Sequence, residues 1–574
     1  MLFKEEGIIM KTIFINNHKF EACDSDSILQ VAKRNHINIQ TLCYLEECSN
    51  MGHCGVCLVE MAETGELIRA CSTPVEDGMK IKVNTNKVQN AVRERISDIL
   101  NHHNFNCGTC VRKGSCELFD IIINNRAKKT AYLEYKDIEP DTRSAAIVYD
   151  KSKCIECGRC VSTCRDKSGT EAIRFTNLDR SFDETKCILC GQCVATCPVG
   201  ALYEKTHLDR VKEALNDKNK HVIVAIAPSV RTAIGEEFKM GYGVDVTKKV
   251  YTALRSLGFK KVFDLNYGAD MTIVEEGTEF IERIRNNGPF PMYTSCCPGW
   301  IRLVENYYPQ LLHNISSAKS PQQMFGAATK TYYPTIENLN PEEVFTVTVM
   351  PCTAKKFEID REEMVNRGVK NIDAILTTRE LAKLIKESKM DLYNMKESIV
   401  DKAMGEYTGA GVLFGTTGGV MEAALRSIKD LTEGKSFEEV DYKVVRGFDN
   451  IKEASVTING NNYNIAVING TKNFVKFYNS GLLDKKQYHF IEVMACPGGC
   501  INGGGQPILT PEKREKINYK KLRAAVLYNQ DKNLPYRKSH KNEALMTMYR
   551  VYIGQPGNDV AHELFHVHYK KKHD

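Results

Sequence analysis

Most of the 22 cysteines in this sequence fall into runs whose spacing suits metal ligation. The first run, Cys43-x10-Cys54-x2-Cys57-x13-Cys71, gathers four thiols in one loop, a pattern that fits a [2Fe–2S] cluster or, as the plainer alternative, zinc. Cys48 is a further thiol inside that loop. The second run, His103-x3-Cys107-x2-Cys110-x5-Cys116, suits a structural zinc site and a histidine-ligated cluster equally; the adjacent His102 fits the spacing less well. Next comes an internal repeat: Cys154, Cys157, Cys160 and Cys164 recur as Cys187, Cys190, Cys193 and Cys197, with Pro198 after the last. In such paired runs the fourth cysteine serves the other cluster, so Cys154, Cys157, Cys160 and Cys197 form one set and Cys164, Cys187, Cys190 and Cys193 the other. Beyond residue 206 the remaining thiols are Cys296, Cys297, Cys352, Cys496 and Cys500, in three separate segments: Thr294–Trp300, Met350–Glu358 and Met494–Cys500. Thiols that converge from distant segments suggest one buried metal site, and spacing alone does not choose the metal. A succession of clusters is needed only where electrons travel between a surface and a buried centre, so the carboxy-terminal part is expected to be catalytic.

The elements that must position these residues can be read in outline. Lys11–Ile15 and Lys19–Ala22, flanking Asn16-Asn17-His18, predict a β-hairpin. Ser25 is placed to cap a helix running to about His36, and strands are expected near Leu58–Met61 and Lys80–Val83. Cys23, on a strand, is expected to be a small buried hydrophobe. From about residue 207 strands and helices alternate: a buried strand His221–Ala227, a helix after Pro228, a strand Lys261–Leu265 and a helix near Met271–Arg285. The fold class is multidomain α+β and α/β. Four units are expected: a β-grasp [2Fe–2S] ferredoxin-like domain (1–88), a small helical domain with the histidine-containing site (89–136), a two-[4Fe–4S] ferredoxin domain (137–206) and a large α/β catalytic domain (207–574).

Bulk properties narrow the function. Basic and acidic residues, 78 and 72, nearly cancel, which argues against a dedicated nucleic-acid binder. Apolar runs such as Val222–Val230 are too short to span a membrane, and Met1–Met10 carries Lys4, Glu5 and Glu6 with no apolar core of a signal peptide. A cytoplasmic, reducing location is expected, where clustered thiols bind metal rather than pair.

The motifs carry a resemblance. The first two runs resemble those of the large iron–sulfur subunit of respiratory NADH dehydrogenase, and the repeat resembles the bacterial two-cluster ferredoxin signature. The three carboxy-terminal segments closely resemble the signature segments of the [FeFe]-hydrogenases, and the resemblance runs from Met10 through essentially the whole chain, nearest to the monomeric clostridial type. It implies an anaerobic enzyme catalysing 2H⁺ + 2e⁻ ⇌ H2, with ferredoxin, or alternatively flavodoxin, as electron partner. It implies one [2Fe–2S] cluster, three accessory [4Fe–4S] clusters and an H-cluster, in which Cys297, Cys352, Cys496 and Cys500 hold a [4Fe–4S] cubane and Cys500 bridges to a di-iron subsite. That subsite carries CO, CN⁻ and azadithiolate and is inserted by maturation proteins. Lys355, Ala227, Pro228, Ser229, Met350 and Met494 are implied to surround it. Cys296 is implied to donate protons, reached from the surface by Arg283, Glu279, Ser316 and Glu276. Glu276, Glu279 and Arg283 stand at i, i+3 and i+7 and so share a helix face; without the resemblance, such a face would be read as solvated surface and Met350 as core.

Other signals are set aside. His562–His566 matches the HExxH pattern, but little chain follows to supply a third zinc ligand, so it is read as a chance helix face. Gly409–Gly411 and Gly418–Gly419 open no clear dinucleotide-binding unit, and no NAD(P)H site is expected. Gly503–Gly505 is expected to let backbone approach the metal site. Two other classes of function remain open: an iron–sulfur sensor or assembly protein without the di-iron subsite, which the presence of Cys296, Glu276, Glu279 and Lys355 disfavours, and a pure electron-transfer subunit, which would lack the three converging segments.

Overall fold

The protein is described from a computed structural model covering residues 10–48, 51–131 and 138–571. The stretch before Met10, read as an upstream extension of the family pattern, lies outside the described residues, as do residues 132–136 of the second expected unit. Strands β1 (Met10–Ile15) and β2 (His18–Cys23) pair antiparallel with Ile15 opposite His18. The turn therefore has two residues, Asn16 and Asn17, both at positive φ (50° and 68°), a conformation asparagine tolerates and a tight hairpin requires. Helix α1 (Ile28–Arg34) is capped by Ser27, not by Ser25. The reason is local: Ser27 immediately precedes the buried run Ile28, Leu29, Val31 and Ala32, and Gln30 completes a capping box by accepting the Ser27 N–H at 2.9 Å. Strands β3 (Leu58–Met61), β4 (Leu67–Arg69) and β5 (Met79–Lys82) finish a sheet of order β2-β1-β5-β3-β4, in which only β1 and β5 are parallel. The three-residue β4 is too short to show a sequence pattern. Cys23 sits half-buried at the end of β2 rather than in the core.

Helices α2 (Asn86–Asn101) and α3 (Glu117–Asn125) flank the His103 loop. The cysteine repeat then becomes a structural repeat. Between the antiparallel strands β6 (Ile147–Tyr149) and β7 (Leu202–Glu204), the short helices α4 (Arg159–Thr163) and α5 (Gln192–Thr196) each start after a glycine at positive φ, Gly158 and Gly191.

After α6 (Leu208–Asn216) come strands β8 (His221–Ile226), β9 (Lys261–Asp264), β10 (Met292–Tyr293) and β11 (Val344–Met350), the small hairpin β12 (Val365–Asn366) and β13 (Val369–Lys370), then β14 (Ala374–Thr377), β15 (Ile451–Ile458), β16 (Asn461–Asn469) and β17 (Phe490–Met494). They build one wholly parallel sheet, β14-β11-β8-β9, and a second sheet, β10-β17-β16-β15, in which only the β15–β16 pair is antiparallel. Every residue of β17, and every residue of β8 beyond His221, is buried, which explains the apolar run of β8; in β17 the buried Glu492 interrupts the run and accepts the N–H groups of Gly418 and Met421. No helix follows Pro228 directly. The Thr232 hydroxyl turns back to the Ser229 carbonyl at 2.8 Å and Arg231 is buried against Asp264, so the chain turns before a short 3₁₀ segment at Ile234–Phe238. Helices α7 (Thr247–Ser256), α8 (Asn266–Arg285) and α9 (Pro298–Tyr307) follow. Helix α8 starts five residues before Met271, where the Asp264 carboxylate accepts the Asn266 N–H at 3.0 Å. Among the described residues no helix is long and apolar enough to cross a membrane.

Candidate active site

Four loops converge where two pairs of parallel strands, one from each sheet, end. The parallel neighbours β8 and β11 end at Ala227-Pro228-Ser229 and at Pro351-Cys352; the parallel neighbours β10 and β17 end at the segments holding Cys296, Cys297, Cys496 and Cys500. In parallel sheets the space outside the carboxyl ends of the strands is the natural place for a ligand. Here it is a cavity lined by Cys296, Cys297, Cys352, Cys496 and Cys500 together with Ala227, Pro228, Ser229, Met350, Met494 and Lys355. All the residues assigned from sequence to the metal centre and its surroundings therefore meet in one place.

The donor set fits a multi-iron group. Among the described residues no three His, Cys, Asp or Glu side chains are grouped so as to hold a single metal ion; the thiols instead ring a space. Burial pushes the Cys352 thiol up to about 12, so thiolates are stable here only when a cationic metal replaces the proton. The Ser229 hydroxyl is fully buried without a hydrogen-bond partner, which suits a group that accepts from it. The Lys355 ammonium donates to the Cys296 carbonyl at 3.2 Å and to both oxygens of Glu358 at 2.9 Å. Glu358 also accepts from Ser320 at 2.9 Å and Gln322 at 3.1 Å, so the cation beside the cavity is held by a fully bonded buried network.

The accessory cysteines are placed in the sets expected. Cys154, Cys157, Cys160 and Cys197 line one space; Cys164, Cys187, Cys190 and Cys193 line the next. Cys43, Cys54, Cys57 and Cys71 are all buried, and their thiols are close enough to perturb one another. His103, Cys107, Cys110 and Cys116 share an open cleft, whereas His102 is exposed. The His103 Nδ1 lies 3.0 Å from the Lys153 carbonyl, which fixes the proton on Nδ1 and leaves Nε2 with its lone pair, the arrangement a metal needs.

The residues expected to handle protons lie in one neighbourhood, with Glu276 Oε2 buried and without a hydrogen-bond partner. Ser295 donates its N–H to Glu276 at 3.3 Å, placing Glu276 beside the Cys296 segment. Ser316 donates to Glu279 at 2.8 Å and, as a donor near Glu276, favours the ionised form of that carboxyl against the effect of burial. Arg283 grips Glu279 at 2.6 Å and the carbonyls of Asn314 and Ile315. Burial, reinforced by the Glu279 carboxylate, pushes Glu276 up to about 8, and burial holds the Cys296 thiol far above the usual thiol range. Both shifts favour the protonated form.

The sequence comparisons settle which family builds such a site. Over 575 aligned residues the chain is 56% identical to Iron hydrogenase 1 of Clostridium pasteurianum, covering 98% of this chain and 100% of that protein. The chain belongs to the [FeFe]-hydrogenase family. It is a hydrogenase, an iron–sulfur oxidoreductase. Family models for the iron-only hydrogenase large subunit, C-terminal domain, and for the iron hydrogenase small subunit match residues 220–504 and 517–572. Models for a 2Fe-2S iron-sulfur cluster binding domain, for the iron-sulfur centre-binding domain of iron hydrogenase 1-like proteins and for a 4Fe-4S dicluster domain match residues 10–86, 87–127 and 146–203. The hydrogenase is also 40% identical to the NADP-reducing hydrogenase subunit HndD of Solidesulfovibrio fructosivorans, over 98% of this chain and 99% of that one. A solved apo [FeFe]-hydrogenase from Chlamydomonas reinhardtii superposes with a TM-score of 0.57 at 37% identity, covering 64% of this chain and 99% of that one. The hydrogenase site also contains Gln322 as a lining residue and Glu358 as the partner of Lys355, neither singled out from sequence, and Cys190, assigned from sequence to the neighbouring accessory set, lines it as well. Glu358, three residues after Lys355, offered a local signal; Gln322 reaches the cavity from another segment and offered none.

Proposed function

We propose that this hydrogenase catalyses the reversible reduction of protons to H2 with electrons from ferredoxin, flavodoxin being the alternative carrier, in the cytoplasm. The observation that carries the reading is the meeting of Cys297, Cys352, Cys496 and Cys500 with Cys296 in one buried cavity, from which Glu276, Ser316, Glu279 and Arg283 lead outward. Cys297, Cys352, Cys496 and Cys500 would hold the cubane of an H-cluster, with Cys500 shared with the di-iron subsite that maturation proteins insert. When bound, that group supplies the open iron position and the redox equivalents for H2 chemistry.

The chain's own residues do the rest. Met350 and Met494 keep water away with soft apolar contacts. Ser229 and Lys355 offer donors to anionic ligands. Cys296 holds a proton at its sulfur beside the reacting centre, and Glu276 resupplies it. Ser316 passes protons between the two carboxyls, and Arg283 orients Glu279 at the outer end.

Electrons would follow a forked path through one [2Fe–2S] and three [4Fe–4S] clusters. Cys190 lines the catalytic cavity, and the Thr353 hydroxyl donates to the Leu189 carbonyl at 2.7 Å, so the Cys164 set is the inner station. The Cys154 set is next. It is touched from the His103 side by Arg112, which donates to the Cys197 carbonyl at 2.7 Å, and from the Cys43 side by His53, 3.3 Å from the Glu156 carbonyl. Four units bearing these clusters, with boundaries near residues 88, 136 and 206 and a β-grasp first unit, describe the organisation. Ferredoxin would dock on the outer units. Steady-state H2 evolution from reduced ferredoxin by matured protein tests the reading. Saturable turnover with ferredoxin supports it; turnover with a small dye but none with ferredoxin or flavodoxin would overturn the partner assignment.

A further inference from the structure

The HExxH residues set aside above have a place in the fold that no zinc reading explains. His562 is exposed on the helix Asp559–Phe565, and His566 lies just past its end, buried. The backbone on either side of His566 is pinned to the loop that carries the relay serines: Lys319 N–H donates to Phe565 O and Val567 N–H to Ser317 O, each at 2.7 Å. The imidazole is thereby inserted between two carboxylates of α8. Its Nδ1 is 2.8 Å from the Ser317 hydroxyl, which is 3.1 Å from Glu279 Oε2. Its Nε2 is 3.0 Å from Glu275 Oε2. Glu275 is fully buried and is held in turn by the Tyr549 hydroxyl and by the Gly557 N–H at 2.9 Å.

We propose that Ser317, His566 and Glu275 form a proton-holding side branch of the relay, joined to it at Glu279. The inference rests on the relay reading of Glu279. The bonding works in both directions once the Ser316 hydroxyl, which donates to the same Glu279 Oε2 at 2.8 Å, turns away from the protonated oxygen; the Ser317 N–H keeps its contact at 2.9 Å. With Glu279 protonated, its O–H donates to Ser317 Oγ, the Ser317 O–H donates to Nδ1 of a neutral imidazole, and Nε2–H donates to the Glu275 carboxylate. Shifting one proton along Glu279, Ser317 and His566 leaves Glu279 as carboxylate accepting from Ser317, and His566 as imidazolium donating from both nitrogens. One O–H bond of Glu279 is broken and one N–H bond of His566 is made; Ser317 exchanges one proton for another, and no electrons move. The Glu275 carboxylate stabilises the imidazolium in its buried site. His566 thus holds a proton next to Glu279 and returns it. Other titratable groups around His566 are exposed His562, whose ring centroid is 4.2 Å away, and Lys319, whose ammonium is turned to the Leu564 carbonyl and Asn366.

The test compares the pH profile of H2 evolution for wild type, S317A, H566Q and the double variant in fully matured enzyme, with E279Q as control. Glutamine can keep bonds to Ser317 and Glu275 but cannot hold the extra proton, so a merely structural role for His566 would be rescued by it. Loss of the branch removes the imidazolium that favours the Glu279 carboxylate, so each single variant should move the profile to higher pH by about 0.5–1 unit, and the double variant no further. Profiles that superpose on wild type, or shifts that add in the double variant, would overturn the branch while E279Q still abolishes turnover. Unimpaired E279Q would instead overturn the relay. Should H566Q fail to fold, S317A alone decides by the same shift.

Discussion

In the proposed relay, Glu276 sits where proton supply to the buried centre can be interrupted by one atom. Replacing it by glutamine keeps its size and its bond from Ser295 but removes the exchangeable proton, and general acid–base steps of this kind contribute about 10²–10⁴-fold. E276Q should therefore lose H2 evolution by a factor in that range while keeping its clusters, as measured by turnover beside iron content. The pH dependence follows from the same residue. Its carboxyl, ordinarily at 4.5, is pushed up to about 8 in the fold, so H2 evolution supplied through it should fall as pH rises through about 8. The stability consequence has the same sign: a raised carboxyl favours the folded state fully below its unfolded value of 4.5, and that contribution is lost as pH rises through about 8. In E276Q the melting temperature should accordingly depend less on pH across that window. At this scale the convergence of the cysteines was legible from their spacing, as was the placing of His103, rather than His102, in the cleft with Cys107, Cys110 and Cys116. Gln322, Ser317 and the placement of His566 were not, because each reaches its partners across long stretches of chain that leave no local pattern.

At the scale of elements, the site is a product of strand direction. β8, β11, β10 and β17 deliver their loops to one cavity, and α8 supplies the face that carries Glu276, Glu279 and Arg283. Buried strands such as β8 announced themselves as apolar runs, and α8 by its length. The three-residue β4, the capping residue of α1 and the turn after Pro228 did not, since each is decided by side chains meeting backbone at single positions. The cap gives a local prediction. S27A removes the acceptor for the Gln30 N–H and should cost about 1 kcal/mol. The loss should appear in the Cys43–Cys71 unit, as earlier bleaching of its visible iron–sulfur absorption during denaturant unfolding, with the catalytic cavity unaffected.

Across the whole molecule, the cysteine sets occupy separate spaces strung between the outer units and the catalytic cavity. Separate cavities predict separable loss. C110S should remove one [4Fe–4S] signal from the electron paramagnetic resonance spectrum and slow ferredoxin-driven turnover, while dye-driven H2 evolution changes little; loss of every cluster together would show that the sites are not independent. The central claim, that Cys297, Cys352, Cys496 and Cys500 hold an H-cluster beside Cys296, has a direct test. Infrared spectra should be taken from anaerobic protein produced with the hydrogenase maturation proteins. Sharp CO and CN⁻ stretching bands are the expected result. Their absence from protein that contains its [4Fe–4S] clusters, beside a control hydrogenase that matured normally, would contradict the account.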